Sequence, residues 1–571
     1  MSLFPISLDL SEHHDRNVAV IVLLGTFARL AYWYIYPPVW KLYAVYNVFE
    51  LPLFTYISDF QGYAPWRMPF YDVFAAAVYL PVSKFIGYHA LPAFNVIVSI
   101  VSLPFFYLAA KEMFGRRVAL FALTLYALYP KGLVLAGIGL PEASGIGFVV
   151  FAFYYLTRAD SKNWTDYLIA GLFAMLSTSV LVTAVLFGIV VTLFLYLRDI
   201  DSLTINGLRP RTRTIAFALP SFVFGILYLL YGPIATVGQL AISTNNQVGS
   251  RSLFIDPNSL SFIEKSIRYF AYTYFDFWWH LRGFDLESSI LAVITGLETF
   301  FGSFFFVYLI GWTAVTGILS FCILYGIYSI YARGNAMDLL LLAWIGIYVF
   351  AQNMRNIGWE GVFQTRQFSI AIPAICVAFG VGIIKIAPHV SMLGGWIRTQ
   401  FSMPEYRFMT EKQISLLFLI IILLGLVANG AAQGTIRSDR YEIEREAPAM
   451  ALNEIVQENE SVGVLSSRPA KDTIIFTDNT IRPIVITGGE SERDQLAGKN
   501  IGLDVRIAHP SEIKKINLTY LYVRTRCQPY SDREQSFIDA ALNGSSEIVY
   551  QNNIDRPNFS CDSIQTTVIR V

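Results

Sequence analysis

The sequence predicts a polytopic α-helical membrane protein that carries an α/β domain outside the membrane at its C-terminus. Three observations predict it. Hydrophobic residues make up 55% of the 571 residues and charged residues only 15%, against roughly 25% charged in an average soluble domain. Runs of about 20 apolar residues, the length that crosses the hydrocarbon core as a helix, recur through the first three quarters of the chain. The remainder is polar and holds short strand-like runs.

The composition also excludes several classes. Basic and acidic residues are equal at 42 each, so no electrostatic footprint for nucleic acid exists. A mean hydropathy of +0.49 excludes disorder. No Walker motif and no Gly-rich dinucleotide fingerprint is present, so a nucleotide-linked donor on the cytoplasmic side finds no support.

The first apolar run, 18–36, follows a charged leader (Glu12, His13, His14, Asp15, Arg16) and has no small-residue cleavage site after it. It is expected to be a retained span and not a signal peptide. Residues 37–88 are aromatic and broken by Pro52, Pro65, Pro69 and Pro81. They read as a loop with two interfacial helices, about 44–61 and 69–85. Further spans are expected at about 89–110, 118–140, 145–157, 166–181, 182–197, 214–232, 303–331, 337–354, 367–387 and 413–434, about eleven in all. Lys111/Arg116/Arg117, Arg158/Lys162, Arg198/Arg209/Arg211/Arg213, Arg333 and Lys385/Arg398/Arg407 fall on one side if the N-terminus is cytoplasmic, as the positive-inside rule requires. The outer loops 37–88 and 233–302 and the tail then face outward, which divides the chain into a membrane part, 1–434, and an extracytoplasmic part, 435–571.

The tail shows strand-like runs at 462–465, 473–476, 483–487, 518–523 and 566–571, with a helix-like stretch at 532–543. Cys322 and Cys376 fall inside spans and read as packing residues, whereas Cys527 and Cys561 both lie in the tail. An oxidising compartment permits a disulfide between that second pair, with two free thiols as the alternative. Asn459, Asn517, Asn543 and Asn558 head Asn-x-Ser/Thr triplets in the tail, while a fifth, Asn163, falls on a cytoplasmic loop.

Residues 46–160 carry a more specific pattern. Gly62 precedes Trp66-Arg67-Met68-Pro69-Phe70-Tyr71, and Phe85-Ile86-Gly87 makes a turn. Residues 110–117 form a basic turn around Gly115, and an Ala-rich stretch reaches Tyr129-Pro130. Leu140-Pro141-Glu142 then returns an acid to the outer side. Later comes Thr365-Arg366-Gln367-Phe368-Ser369 before a long apolar run. This arrangement resembles the GT-C membrane glycosyltransferases, most closely the branch of protein O-mannosyltransferases and aminoarabinose transferases. The resemblance implies a polyprenyl (dolichyl)-phosphate sugar donor and a glycan, lipid or protein acceptor. It also implies hexosyl or mannosyl transfer at the outer membrane surface. One position departs from the family: Asn47 stands where an Asp, often Asp-Glu, usually begins the first interfacial helix.

Transfer from a phosphate needs a carboxylate to accept the acceptor's proton and cations to meet the charge on the departing phosphate. Glu50, one helical turn after Asn47, is the candidate base. Asp59 is the reserve, because nine residues at 100° each place it on the opposite helix face. Glu142 is a candidate to orient the acceptor or to hold a divalent cation such as Mg or Mn. Arg67 and Arg366 are the candidate phosphate ligands, since the guanidinium fork matches phosphate oxygens. Trp278, Trp279, His280 and Arg282 form an aromatic substrate loop or an interfacial belt. Arg29, in the middle of the first span, is expected to have a buried structural partner. Two alternatives stay open: a lipid or solute transporter, although no internal repeat supports it, and a non-catalytic member of the same fold.

Overall fold

The computed structural model describes residues 13–35, 69–159, 164–199, 212–231, 304–355, 369–400 and 410–422. In the tail it describes 447–457, 460–465, 467–477, 483–487, 505–507, 518–524, 547–555 and 563–570, with a few isolated positions elsewhere. The helices are α1 (His13–Ile35), α2 (Pro69–Ile86), α3 (Ala93–Phe114), α4 (Arg116–Leu128), α5 (Pro130–Gly137), α6 (Pro141–Arg158), α7 (Trp164–Val180), α8 (Val185–Asp199), α9 (Thr212–Tyr231), α10 (Phe304–Arg333), α11 (Ala336–Arg355), α12 (Ile372–Gln400) and α13 (411–422). These fall on the apolar runs of the sequence. Among the described residues, four stretches are long and apolar enough to cross a membrane: Asp15–Tyr34, Phe70–Ala90, Ala93–Phe114 and Ser369–Met392. The pair Arg116–Leu128 and Lys131–Gly137, bent by 48°, makes a fifth if counted as one span, and shorter apolar helices accompany them. The chain is a multi-pass membrane protein.

At the centre lies α6. Every residue from Pro141 to Leu156 is buried, as expected of a helix that is apolar all round. The helices α3 and α7 flank it, and α12 packs on α10 and α4. Bulky rings fill the layer between α3, α6 and α7, where Phe105 meets Phe151 at 4.9 Å and Phe151 meets Phe173 at 5.2 Å. Elsewhere small residues let backbones meet directly. On α10 and α12, a Cβ at Gly326 would collide with the Ala378 carbonyl, and one at Gly382 with the Cys322 carbonyl. Cys322 and Cys376 are free and buried, in line with a packing role.

Of the two interfacial helices expected in the first loop, the second is α2. It is about 27 Å long at 1.5 Å per residue, enough to cross, yet both its ends are tied to one end of the bundle. At its start, the Tyr71 hydroxyl donates to the Gly139 carbonyl at 2.7 Å. Just past its end, the His89 carbonyl accepts from Trp33 Nε1 at 2.7 Å. Trp33 and Gly139 lie at the same level, because Gly137 sits against the Tyr32 carbonyl, 2.9 Å from where its Cβ would be. The helix therefore lies across the bundle end, as an interfacial helix does. At the opposite end, Arg333 makes a two-pronged ion pair with the buried Asp338. It also donates to the Met113 carbonyl at 3.1 Å and lies 4.1 Å over the Phe114 ring. This joins the α10–α11 turn to the basic turn at Gly115.

The tail contributes α14 (Ala447–Ile455), α15 (Ser467–Phe476) and strands β1 (Val462–Val464), β2 (Ile484–Thr487), β3 (Val505–Ile507), β4 (Tyr520–Arg524), β5 (Glu547–Asp555) and β6 (Ser563–Arg570). They form one sheet of order β3-β2-β1-β4-β6-β5. The strands β3, β2, β1 and β4 run parallel, while β6 pairs antiparallel with β4 and β5. One expectation fails here: residues 473–476 are helical, not a strand. Because β1 and β2 are parallel, the chain between them must cross over, and a helix is the usual crossover; α15 supplies it. The end of α15 reaches the helical bundle, where Phe476 meets Tyr88 edge-on at 5.3 Å.

Gly326→Ala and Gly382→Ala should each destabilise the protein by about 1–3 kcal/mol, the range for overpacking a tight contact. Gly188→Ala should not, since nothing lies within 4 Å of its would-be Cβ. Thermal unfolding in detergent checks the contrast, and equal midpoints for all three would refute the close α10–α12 crossing.

Candidate active site

The site is built where α2, α3, α5, α6 and α12 meet at one end of the bundle. Its floor is set by a break in the chain. The helices α4 and α5 are separated at Tyr129, which is extended (φ −67°, ψ 113°), and Pro130 opens α5. In an unbroken helix the Tyr126 carbonyl would accept from the N–H of residue 130, but proline has none. The Ala127 carbonyl loses its partner at the same break. Arg29, 1% exposed, takes their place. Its guanidinium donates to the Ala127 carbonyl at 2.7 Å and to the Tyr126 carbonyl at 3.4 Å, while Nε donates to Ser99 Oγ at 2.7 Å. Ser99 passes the connection on, because its carbonyl accepts from Ser102 Oγ, which lies 2.9 Å from the Tyr126 hydroxyl. The partners that hold Arg29 are neutral carbonyls and a hydroxyl. This is the structural role expected for it, and it fixes α1, α3 and α4 together.

From the break, α5 runs to a tight turn at Gly139 (φ +76°), where a glycine is favoured. Leu140 is the extended N-cap of α6, Pro141 opens the helix and Glu142 follows. Proline at the first helical position and an acid in the first turn are both favoured there. Glu142 is buried, 1% exposed. The start of α6 is further held by Ser144 Oγ, which donates to the Pro141 carbonyl at 3.1 Å, and by Ser177 Oγ, which donates to the Gly145 carbonyl at 2.8 Å. Gly145 faces Ile370, with Cδ1 3.2 Å from where a Cβ would stand.

Of the residues singled out in the sequence, Glu142 and Arg29 are described. Glu50, Asp59, Arg67, Arg366, Trp278, Trp279, His280, Arg282, Cys527 and Cys561 lie outside the described residues. The flanks of several are nonetheless fixed. Pro69, two residues after Arg67, opens α2, and Tyr71 bonds to the Glu142 turn. Ser369, three residues after Arg366, is buried, and its neighbour Ile370 lies against Gly145. Tyr46, four residues before Glu50, packs edge-on against Tyr79 of α2 at 5.5 Å. The segments that follow Arg67 and Arg366 thus reach the start of α6, while Tyr46 packs along α2.

Several buried polar groups at this end carry no motif. Asp72 and Asn95 are fully buried, and so is nearly all of Lys131. Asn95 Nδ2 donates to the Tyr71 hydroxyl at 2.6 Å. The signal that finds them is a lone polar residue at the head of an otherwise apolar helix. Among the described residues no group of three His, Cys, Asp or Glu side chains could hold a metal ion.

Residues 74–227 match the family model of dolichyl-phosphate-mannose-protein mannosyltransferases. Over 96% of its length the chain also superposes on ArnT from Cupriavidus metallidurans bound to undecaprenyl phosphate, covering 97% of that protein at 10% identity and a TM-score of 0.56. The fold is that of the GT-C membrane glycosyltransferases. The apo form of ArnT aligns equally well, at TM-score 0.55 and 10% identity over 96% of this chain and 98% of that one. A looser likeness is to AglB from Archaeoglobus fulgidus in complex with an inhibitory peptide and a dolichol-phosphate, at TM-score 0.46 and 12% identity, covering 90% of this chain and 70% of that one. No curated protein matches the chain in sequence. The region matched by the family model includes the α4–α5 break and the Glu142 turn, so the GT-C likeness and the site fall on the same residues.

The Arg29 clamp is testable through its reason for being there. Arg29→Gln should lower stability by about 1–3 kcal/mol, the cost of leaving buried acceptors unpaired. Pro130→Ala restores an N–H beneath the Tyr126 carbonyl. It should therefore recover part of that loss, with a coupling of at least about 0.5 kcal/mol in a double-mutant cycle. Strictly additive effects would show that the arginine does not serve the break.

Proposed function

We propose that the chain is a glycosyltransferase that moves a hexose, mannose by the family likeness, from a polyprenyl-phosphate donor to an acceptor at the extracytoplasmic membrane surface. The observation that carries this reading is the convergence, at the start of α6, of a buried carboxylate and of the segments that lead from Arg67 and Arg366. The GT-C fold supports it, as does the undecaprenyl phosphate bound by ArnT, a lipid of the proposed donor class.

The acceptor hydroxyl oxygen forms a bond to the sugar's anomeric carbon as the carbon–oxygen bond to phosphate breaks. The lipid phosphate leaves with the electron pair, and a carboxylate takes the hydroxyl proton. Glu50 is assigned as that base with Asp59 in reserve, and Arg67 and Arg366 meet the phosphate charge. Glu142, at the mouth of α6, orients the acceptor or would help to hold a divalent cation there. Trp278, Trp279, His280 and Arg282 supply aromatic faces and polar edges for the substrate. In this topology the N-terminus is cytoplasmic, and the tail lies outside with its Cys527–Cys561 pair.

Donor-dependent transfer in reconstituted vesicles tests the reading. Glu50→Gln should lower turnover by about 10²–10⁴ while binding of the lipid phosphate survives. Arg67→Ala and Arg366→Ala should instead weaken that binding, because the charge they meet is present before reaction. Asp59→Asn should be the milder carboxylate change. Solute uptake without any transfer would favour a transporter, and lipid binding without transfer a non-catalytic protein. The topology has its own check: unreduced protein should show Cys527 and Cys561 joined in one disulfide-linked peptide pair, and two alkylatable thiols there would count against an oxidising location.

A further inference from the structure

The hydrogen-bond chain from Asn95 through Tyr71 to Gly139 joins the heads of α3 and α2 to the turn that presents Glu142. Its direction is fixed by chemistry. The Gly139 carbonyl can only accept, so the Tyr71 hydroxyl spends its one proton there at 2.7 Å. That hydroxyl must then accept from Asn95, whose Nδ2 lies at 2.6 Å. The amide orientation follows, and Asn95 Oδ1 is left buried with no hydrogen-bond partner among the described residues. A buried acceptor left unpaired costs stability, and Tyr71 and Asn95 are both fully buried. A phenylalanine and a leucine would fill the same space without that cost, since the Tyr71 ring already packs on Phe94 at 6.1 Å.

We propose that Tyr71 and Asn95 are positioning residues, whose hydrogen-bonded chain holds the Glu142 turn in register against the heads of α2 and α3. The inference rests on the transferase reading. Gly139 lies three residues before Glu142, so one hydroxyl from α2 sets where the turn presents an acceptor-orienting acid. The 3.6-residue helix repeat then carries the fixed point at Tyr71 back to the start of α2. On the other side, the left-handed Gly139 passes its position to the N-cap of α6. The phosphate is bound whether or not this register is right, whereas reaction requires it.

Tyr71→Phe removes one oxygen and keeps the ring. Turnover in the vesicle assay should fall on the order of 10²-fold, the scale of a 1 Å misplacement. The KM for the donor and the affinity for free polyprenyl phosphate should stay within about twofold. Asn95→Leu should lower turnover in the same way, and the double variant should be no worse than Tyr71→Phe alone, because both act through one chain. A Tyr71→Phe protein with wild-type turnover, or two losses that simply multiply, would overturn the proposal. Amide hydrogen exchange at residues 138–145 gives a second reading that needs no activity: it should quicken in Tyr71→Phe, and unchanged exchange would equally sink the idea. If the wild type transfers no sugar at all, the transferase reading falls, and the exchange measurement still decides whether the chain holds the turn.

Discussion

In hydrocarbon a backbone carbonyl that loses its helical donor finds no water to replace it, and one such loss organises this protein. Pro130 takes the donor away from Tyr126, and Arg29 returns one from another helix. The exchange puts a guanidinium deep inside the bundle and a bend of 48° between α4 and α5. Because of that bend, α5 leans onto the end of α1, where Gly137 meets Tyr32. The turn at Gly139 then feeds α6 into the centre with Glu142 at its mouth. A straight helix through 116–137 would carry the acid elsewhere, so the site's position follows from a proline and its compensating arginine.

Different sets of contacts are seen at the two ends of the bundle. At the basic end, Arg333 and Asp338 use full charges, and an aromatic face backs the cation. At the Glu142 end, the described ties around the turn are neutral: phenol to carbonyl, amide to phenol, indole to carbonyl, hydroxyl to carbonyl. The ionisable side chains of Asp72, Lys131 and Glu142 are buried at that end as well.

Much of the architecture was legible in the sequence because a lipid-soluble helix must be apolar for most of its length. The runs near α3, α6, α7 and α9 could hardly be read otherwise, and Arg29 was conspicuous as a charge in the middle of one of them. Helix ends were harder. The span expected at about 367–387 stops before Pro388, yet α12 continues through that proline to Gln400. In the tail, β1, β2, β4 and β6 showed as apolar runs, but the polar edge strand β5 has no such contrast, and β3 is only three residues long. Residues 473–476 are a short apolar run of a kind that periodicity cannot assign. Glu142 was legible from its Pro-Glu step. Asn95 left only the trace of a lone polar residue at the head of an apolar helix, and its tie to Tyr71 left none, since a hydrogen bond between residues far apart in sequence leaves no local pattern.

The edge-on contact between Tyr88 and Phe476 bears on how the molecule is assembled. Tyr88 emerges from the ribosome well before Phe476, while domains generally fold in order of synthesis. During insertion the aromatic rim at the end of α2 therefore waits uncovered until the helix that carries Phe476 has formed. A chain stopped before residue 476 would enter the bilayer with that rim still exposed.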